Sequence, residues 1–289
     1  MNRSAINFLL LSFVIVTWGY SWVLMKIGLG YMEPFTLAVW RCAIAAVTLL
    51  IYVKSRSIRL PGWRRWPDFI AVGLFQTTFL FGFMLLGMKR ITAGKTSVLL
   101  YTMPVWTILL VHFYLREKIN TRQWVGVVLG SMGIVSILGW DIFAKQDADI
   151  LFGELLIIVA AISWAASNIW VKKRMAGEDI YRISALQLIF GTLGLLIIAL
   201  PTHGVLSIEW TWKSVYVLLF TGLIASAVDF TIWFYLIKKL DINITTFSSM
   251  LVPVFGLFFD WLILGSGLDW GTVGGGTLIL AGIYMVSRR

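Results

Sequence analysis

The sequence predicts an all-α integral membrane fold, with ten transmembrane helices arranged as two inverted five-helix repeats around a central cavity. Composition is the first reason. Hydrophobic residues make up 59% of the chain and charged residues 13%, about half the charge of an ordinary soluble domain. Length is the second. The 289 residues divide into apolar segments, each near the ~20 residues a helix needs to cross a bilayer. The third is internal repetition. Trp18-Gly19-Tyr20-Ser21-Trp22-Val23-Leu24-Met25-Lys26 aligns with Trp164-Ala165-Ala166-Ser167-Asn168-Ile169-Trp170-Val171-Lys172, 146 residues on. Met103-Pro104-Val105-Trp106 aligns with Val252-Pro253-Val254-Phe255, 149 residues on, and Gly126 and Gly133 meet Gly275 and Gly282 at that same offset. Five segments per copy is an odd number, so the second copy enters the bilayer upside down. Inverted repeats are a common transporter architecture, with the substrate site between the halves near the midplane.

In chain order the expected spans are 6–28, 34–53, 68–88, 93–115 and 122–140, then 152–172, 181–200, 213–237, 242–264 and 270–287. The first repeat occupies residues 1–140 and the second 152–289. Helices are required because backbone groups find no water in hydrocarbon. Arg3 followed by an apolar run resembles a signal peptide. The run is too long and lacks a small-x-small cleavage site, so it reads as a retained first span. Pro104 and Pro253 interrupt the fourth and ninth spans at equivalent places and are candidate hinges. Gly126 and Gly130 form a GxxxG in the fifth span, as Gly271 and Gly275 do in the tenth. Such faces permit close helix contact, within the chain or in a homodimer.

Lys and Arg set the orientation. With the N-terminus inside, the inner segments hold Arg3, the stretch from Lys54 to Arg65, Arg116, Lys118 and Arg122, Lys172 to Arg174 with Arg182, Lys238 and Lys239, and Arg288 and Arg289. The outer set is thinner: Lys26, Lys89, Arg90, Lys95, Lys145 and Lys213. Both termini are therefore expected in the cytoplasm of a multi-pass cell-membrane protein. The loop with Lys89, Arg90 and Lys95 runs against the rule. Trp63, Trp66, Trp124, Trp140, Trp210, Trp212 and Trp270 sit at span ends, as an interfacial belt would. The net charge of +10 thus reads as a topology signal and an attraction to lipid, not as nucleic-acid binding. One cysteine and two histidines give no disulfide, metal or cofactor pattern. No nucleophile, base and metal set converges, and no soluble catalytic domain is evident, so an enzyme is not expected.

The polar residues inside spans carry the candidate chemistry. Trp18, Ser21, Trp22 and Met25 follow i, i+3, i+4, i+7 and share one helix face. The repeat puts Trp164, Ser167, Asn168 and Val171 on the matching face of the sixth span. Two such faces look like opposite cavity walls suited to an amphipathic ligand; the plainer alternative is helix packing. Asp229 lies near the middle of the eighth span, where a carboxylate is costly and usually functional. It is a candidate partner for a substrate amine or a candidate proton carrier, with a structural hydrogen bond as the alternative. Gln76, Ser97 and Tyr101 are further candidate cavity residues. Lys26, Arg41, Lys95 and Asp260 lie in outer halves of their spans, as a charge pair or a vestibule for a substrate carboxylate. Snorkelling is the plainer and preferred reading of Lys26 and Lys95, whereas Arg41 lies deeper.

Trp18-Gly19 with Lys26, Arg41 with Ala38 and Ala45-Ala46, and Leu100-Tyr101-Thr102-Met103-Pro104-Val105-Trp106 carry a family resemblance, in that order. Leu115-Arg116-Glu117 before a Gly-rich fifth span, and a degenerate second copy, extend it across nearly the whole chain. The chain resembles the bacterial EamA-type branch of the drug/metabolite transporter superfamily. The resemblance implies a basket in which spans 1, 3, 4, 6, 8 and 9 surround the cavity while spans 5 and 10 pack at one side. It also implies export of amino acids or related metabolites by alternating access. Two departures stand out. The family often shows Gly-Glu where this chain has Arg116-Glu117. The related four-helix multidrug exporters place an essential glutamate in span one, where this chain has no acid. The expected function is a secondary exporter of small amphipathic metabolites, amino acids foremost. A hydrophobic-cation multidrug exporter and a non-transporting membrane scaffold are the alternatives.

Overall fold

The computed structural model describes residues 3–90, 96, 99–116, 118–138, 148–200, 207–265 and 270–287. These residues are helical, apart from short connections and an isolated bridge between Met32 and Ile208. The first half contains α1 (Arg3–Gly28), α2 (Pro34–Ser55), α3 (Trp63–Met88), α4 (Met103–Leu115) and α5 (Thr121–Leu138). The second contains α6 (Ala148–Arg174), α7 (Ile180–Ala199), α8 (Trp212–Lys239), α9 (Ile242–Leu264) and α10 (Trp270–Ser287). Seven of them, α1, α2, α3, α6, α7, α8 and α9, are long and apolar enough to cross a membrane, while α4 and the Val273–Val286 part of α10 are shorter. Outward faces carry exposed Phe8, Ile51, Ile197 and Leu262. Such broad apolar exposure fits contact with hydrocarbon.

Local backbone features recur between the halves. α3 contains a π-helical segment, Leu74–Phe79, and α8 contains another, Phe220–Val228. Asp229 and Leu80, 149 residues apart, each follow directly. The fourth and ninth spans also depart from continuous helix at matching places. Tyr101 and Thr102 form a turn before Met103, and Ser249 and Met250 form one before Leu251. Pro104 and Pro253 lie in the first turn after each break. There a missing N–H removes no essential hydrogen bond, because the first helical donors have no intrahelical acceptor. The prolines therefore begin a helical segment rather than kink an unbroken one. The same spans end on left-handed residues, Arg116 (φ 58°) and Gly265 (φ 72°), again 149 residues apart.

Packing has the same symmetry. α1 packs on α9 as α6 packs on α4. α8 lies against α1 and α2 as α3 lies against α6 and α7. α2 meets α7, and α5 meets α10. Exchanging each helix for the one five places on maps these contacts onto themselves. In a bilayer, lipid competes for apolar surface, so small residues that let backbones approach decide such contacts. A Cβ on Gly19 would come within 2.6 Å of the Phe255 Cβ, at the α1–α9 crossing. A Cβ on Gly126 would meet the Gly282 carbonyl at 2.8 Å, and one on Gly133 the Gly275 carbonyl at 2.5 Å. Gly130 faces Met250 and Phe247, and the Gly271 carbonyl accepts from Ser136. The GxxxG faces are thus engaged within the chain.

Candidate functional site

A cavity runs between α1, α2, α3 and α4, with α6 and α8 at its floor. It has two lobes that share Trp22, Met25, Arg41, Phe81 and Met84. The first lobe reaches Lys26, Leu29, Pro34 and Met88, at the ends of α1 and α3 and the start of α2. The second goes deeper, to Trp18, Ser21, Leu80, Tyr101, Trp164 and Phe230. The helical face read from the sequence, Trp18, Ser21, Trp22 and Met25, lines this cavity throughout.

Aromatic rings form the floor. Trp18 meets Trp164 edge to face at 5.6 Å between centroids and lies 5.2 Å from Trp233. Phe230 and Tyr101 extend the cluster. Hydrogen bonds fix most of the indoles. Trp18 Nε1 donates to the carbonyl of Ala225 in the π segment of α8, Trp22 Nε1 donates to Tyr101 Oη, and Trp233 Nε1 donates to Asn168 Oδ1 at 2.8 Å. Trp164 Nε1 is buried and has no acceptor among the described residues. A buried donor left so is costly, and an acceptor on a ligand would satisfy it.

The remaining sequence candidates fall into separate places. Asn168 and Ser167 are fully buried behind the floor, Asn168 holding Trp233. Gln76 is fully buried in the π segment of α3, and neither side-chain polar atom is bonded among the described residues. Asp229 is also fully buried, and its Oδ2 accepts from Thr17 Oγ1 at 2.7 Å. None of these four lines either lobe. Lys26 reaches Asp260 at 3.1 Å, bridging α1 and α9 beside the first lobe. Ser97 and Lys95 lie outside the described residues.

Arg41 is the charged residue common to both lobes, and it is only 4% exposed. Its Nε and Nη2 donate to Ser226 Oγ at 3.1 and 3.0 Å, and its Nη1 contacts Met25 Sδ. Ser226 donates onward to the Thr221 carbonyl inside the α8 π segment. Phe81 lies 5.1 Å from the guanidinium carbon. The sequence alone did not single out Thr17, Ser226 or Phe81. Ser226 stands three residues before Asp229 on α8, which was the only signal for it.

The opposite end of the molecule is tied together by charge. Asp68 accepts from Arg65, Arg174 and Trp170, while Glu178 accepts from Arg65 and Arg182. Lys238 Nζ donates to the Glu178 carbonyl at 2.6 Å. These bonds join α3, α6, α7 and α8 below the aromatic floor. The first lobe thus lies toward the α1–α2 turn, and this network lies toward the α6–α7 turn.

Comparison with known proteins adds to this geometry. The sequence profile of the family described as "EamA-like transporter family" matches residues 5–139 and again 151–288. The Bacillus subtilis (strain 168) protein named "Uncharacterized transporter YoaV" is 34% identical over 274 residues, spanning 94% of this chain and 93% of its own. A Salmonella typhimurium protein named "Probable amino-acid metabolite efflux pump" is 28% identical over 282 residues, covering 94% and 91% of the two chains. A solved crystal structure superposes with a TM-score of 0.83 at 18% identity, covering 99% of this chain and 97% of its own. At that identity the likeness speaks for the fold.

Proposed function

Because the chain belongs to the EamA-like transporter family, we propose that it is a secondary carrier of the cell membrane that exports small amphipathic metabolites, amino acids above all. In this reading ten spans form two inverted repeats, both termini face the cytoplasm, and the halves rock to expose the cavity alternately. One observation supports the reading: a cavity walled by the first half and floored by aromatic rings from both halves, with the network around Asp68 and Glu178 tying the helices together at the far end. A carrier needs one-sided access in each of its states. The efflux-pump name of the Salmonella relative points to amino-acid metabolites as cargo.

Trp18, Trp22 and Trp164 would pack the apolar part of the ligand, with Ser21, Tyr101 and the Trp164 N–H supplying hydrogen bonds. Asp229 lies off the wall, which favours proton exchange over direct contact with a substrate amine. Export of hydrophobic cations is the less favoured alternative, since the charged side chains on the described cavity wall, Arg41 and Lys26, are both cationic. Purified protein in liposomes separates the two. Labelled amino acids are expected to cross faster than in empty vesicles, and a cationic dye is not. Dye flux without amino-acid flux would replace this reading with the alternative.

A further inference from the structure

We propose that Arg41 is the seat for a single ligand carboxylate, which makes the cargo an acid or zwitterion rather than an amine or a neutral molecule. The inference rests on the carrier reading above and narrows its substrate class. A guanidinium has five N–H donors in a planar fork that matches a carboxylate bidentately. Here the fork is spent on weak, neutral acceptors: one hydroxyl oxygen, shared by two nitrogens, and one thioether. Among the described residues no carboxylate forms an ion pair with Arg41. Asp229, the acid of the same region, is turned to Thr17.

Asp229 acts on Arg41 through space without touching it; a buried guanidinium with no carboxylate in direct contact is costly, and a carboxylate that makes that contact gains affinity. The position suits the task. Arg41 stands where the two lobes meet, with Phe81 against the guanidinium. A carboxylate approaching from the first lobe would meet the fork, and an apolar side chain would then extend toward the aromatic floor. Ser226 links the same guanidinium to the π segment of α8, which packs against α2, so anion binding would loosen Arg41 from α8.

The test is thermal unfolding of purified wild-type protein with a panel of apolar and aromatic L-amino acids and their carboxamides, at matched concentrations. Ligands of the folded state raise the melting temperature by mass action. Acids in the panel are expected to stabilise and their amides to fail, with apparent affinities at least about tenfold apart. Arg41→Gln is expected to remove the response to acids while retaining a folded, monodisperse protein. The acid–amide contrast in wild type decides the matter even if that variant does not fold. Amides that bind and cross liposomes as well as acids would remove the carboxylate seat and leave the carrier standing. If no panel member binds, the seat as proposed is wrong, and if none crosses liposomes either, the carrier reading falls with it.

Discussion

Trp18 and Trp164 occupy the same position in the two copies of the repeat and meet edge to face across the molecular centre, 5.6 Å between ring centroids. The duplication thus supplies both sides of the cavity floor from one ancestral residue. Their hydrogen bonding differs. Trp18 donates to Ala225, whereas the Trp164 N–H has no acceptor among the described residues. In the carrier reading proposed above, one ring is held as structure and the other serves the ligand.

That asymmetry gives different expectations for the two. Trp18→Ala should lower stability by about 3–5 kcal/mol, the usual cost of removing a buried indole from a packed cluster, and should show as a large fall in melting temperature. Trp164→Phe keeps a ring in the cluster and loses an N–H without a partner among the described residues, so it should lower the melting temperature of the empty protein less than Trp18→Ala does. It should weaken binding of an amino-acid probe several-fold, the worth of about one hydrogen bond. Equal effects of the two changes on stability would argue against this division of roles.

Arg116 adopts a left-handed backbone where its repeat mate is Gly265. A side chain in that region costs roughly 1–2 kcal/mol, offset in part by the greater chain entropy of glycine. Arg116→Gly is therefore expected to stabilise the protein by up to about 1 kcal/mol, read as a rise in melting temperature.

The α5–α10 contact makes a third prediction. Gly133→Val places side-chain atoms against the Gly275 carbonyl, at a point where even a Cβ would lie 2.5 Å away. Overpacking of that kind costs about 1–3 kcal/mol or more. Gly274→Ala, whose Cβ would meet nothing within 4 Å, should be silent. Comparable losses in both variants would show that α5 and α10 do not meet as described.

The repeat was legible in the sequence because its offset is preserved in residues that shape the backbone: Pro104 and Pro253, and the glycines of α5 and α10. The structure adds features that no residue type announces, namely the paired π segments and the left-handed ends. Periodicity found the cavity face of α1 because that helix is regular from Trp18 to Met25. It placed Ser167 and Asn168 on a facing wall, yet both lie behind Trp164 and Trp233. A helical wheel gives the face of a helix but not the neighbour that covers it. Depth in the membrane singles out Asp229 and Gln76, and the structure buries both; depth does not give the side of the helix, and neither lines either lobe. The GxxxG faces were equally compatible with contact inside or between chains, since the motif states only that something comes close.

The charged end ties its helices together through a few acceptors, and Asp68 serves three donors. Asp68→Asn is expected to shift the population toward the state open at that end. In a Cys42→Ala background, a cysteine at Ser167, buried above this network, should react faster with a membrane-impermeant thiol reagent once Asp68 is neutralised. Unchanged labelling would mean that the network does not hold that end together.

Asp229→Asn separates coupling from binding. The amide oxygen can still accept from Thr17, so the fold should persist. If Asp229 carries the proton, exchange of labelled for unlabelled substrate should continue in liposomes while uptake driven by a pH gradient stops. Loss of both would instead place Asp229 in substrate binding.

The most direct measurement is amino-acid counterflow in liposomes with the cavity deliberately filled. Ser21 lines the deep lobe and is small, so Ser21→Trp should occupy the ligand's space without touching the helix contacts outside it. Wild-type protein in vesicles preloaded with unlabelled amino acid is expected to accumulate labelled tracer well above empty vesicles, and folded Ser21→Trp protein is expected to show none. Counterflow that survives Ser21→Trp, or wild-type flux no greater than that of empty vesicles, would contradict a carrier working through this cavity.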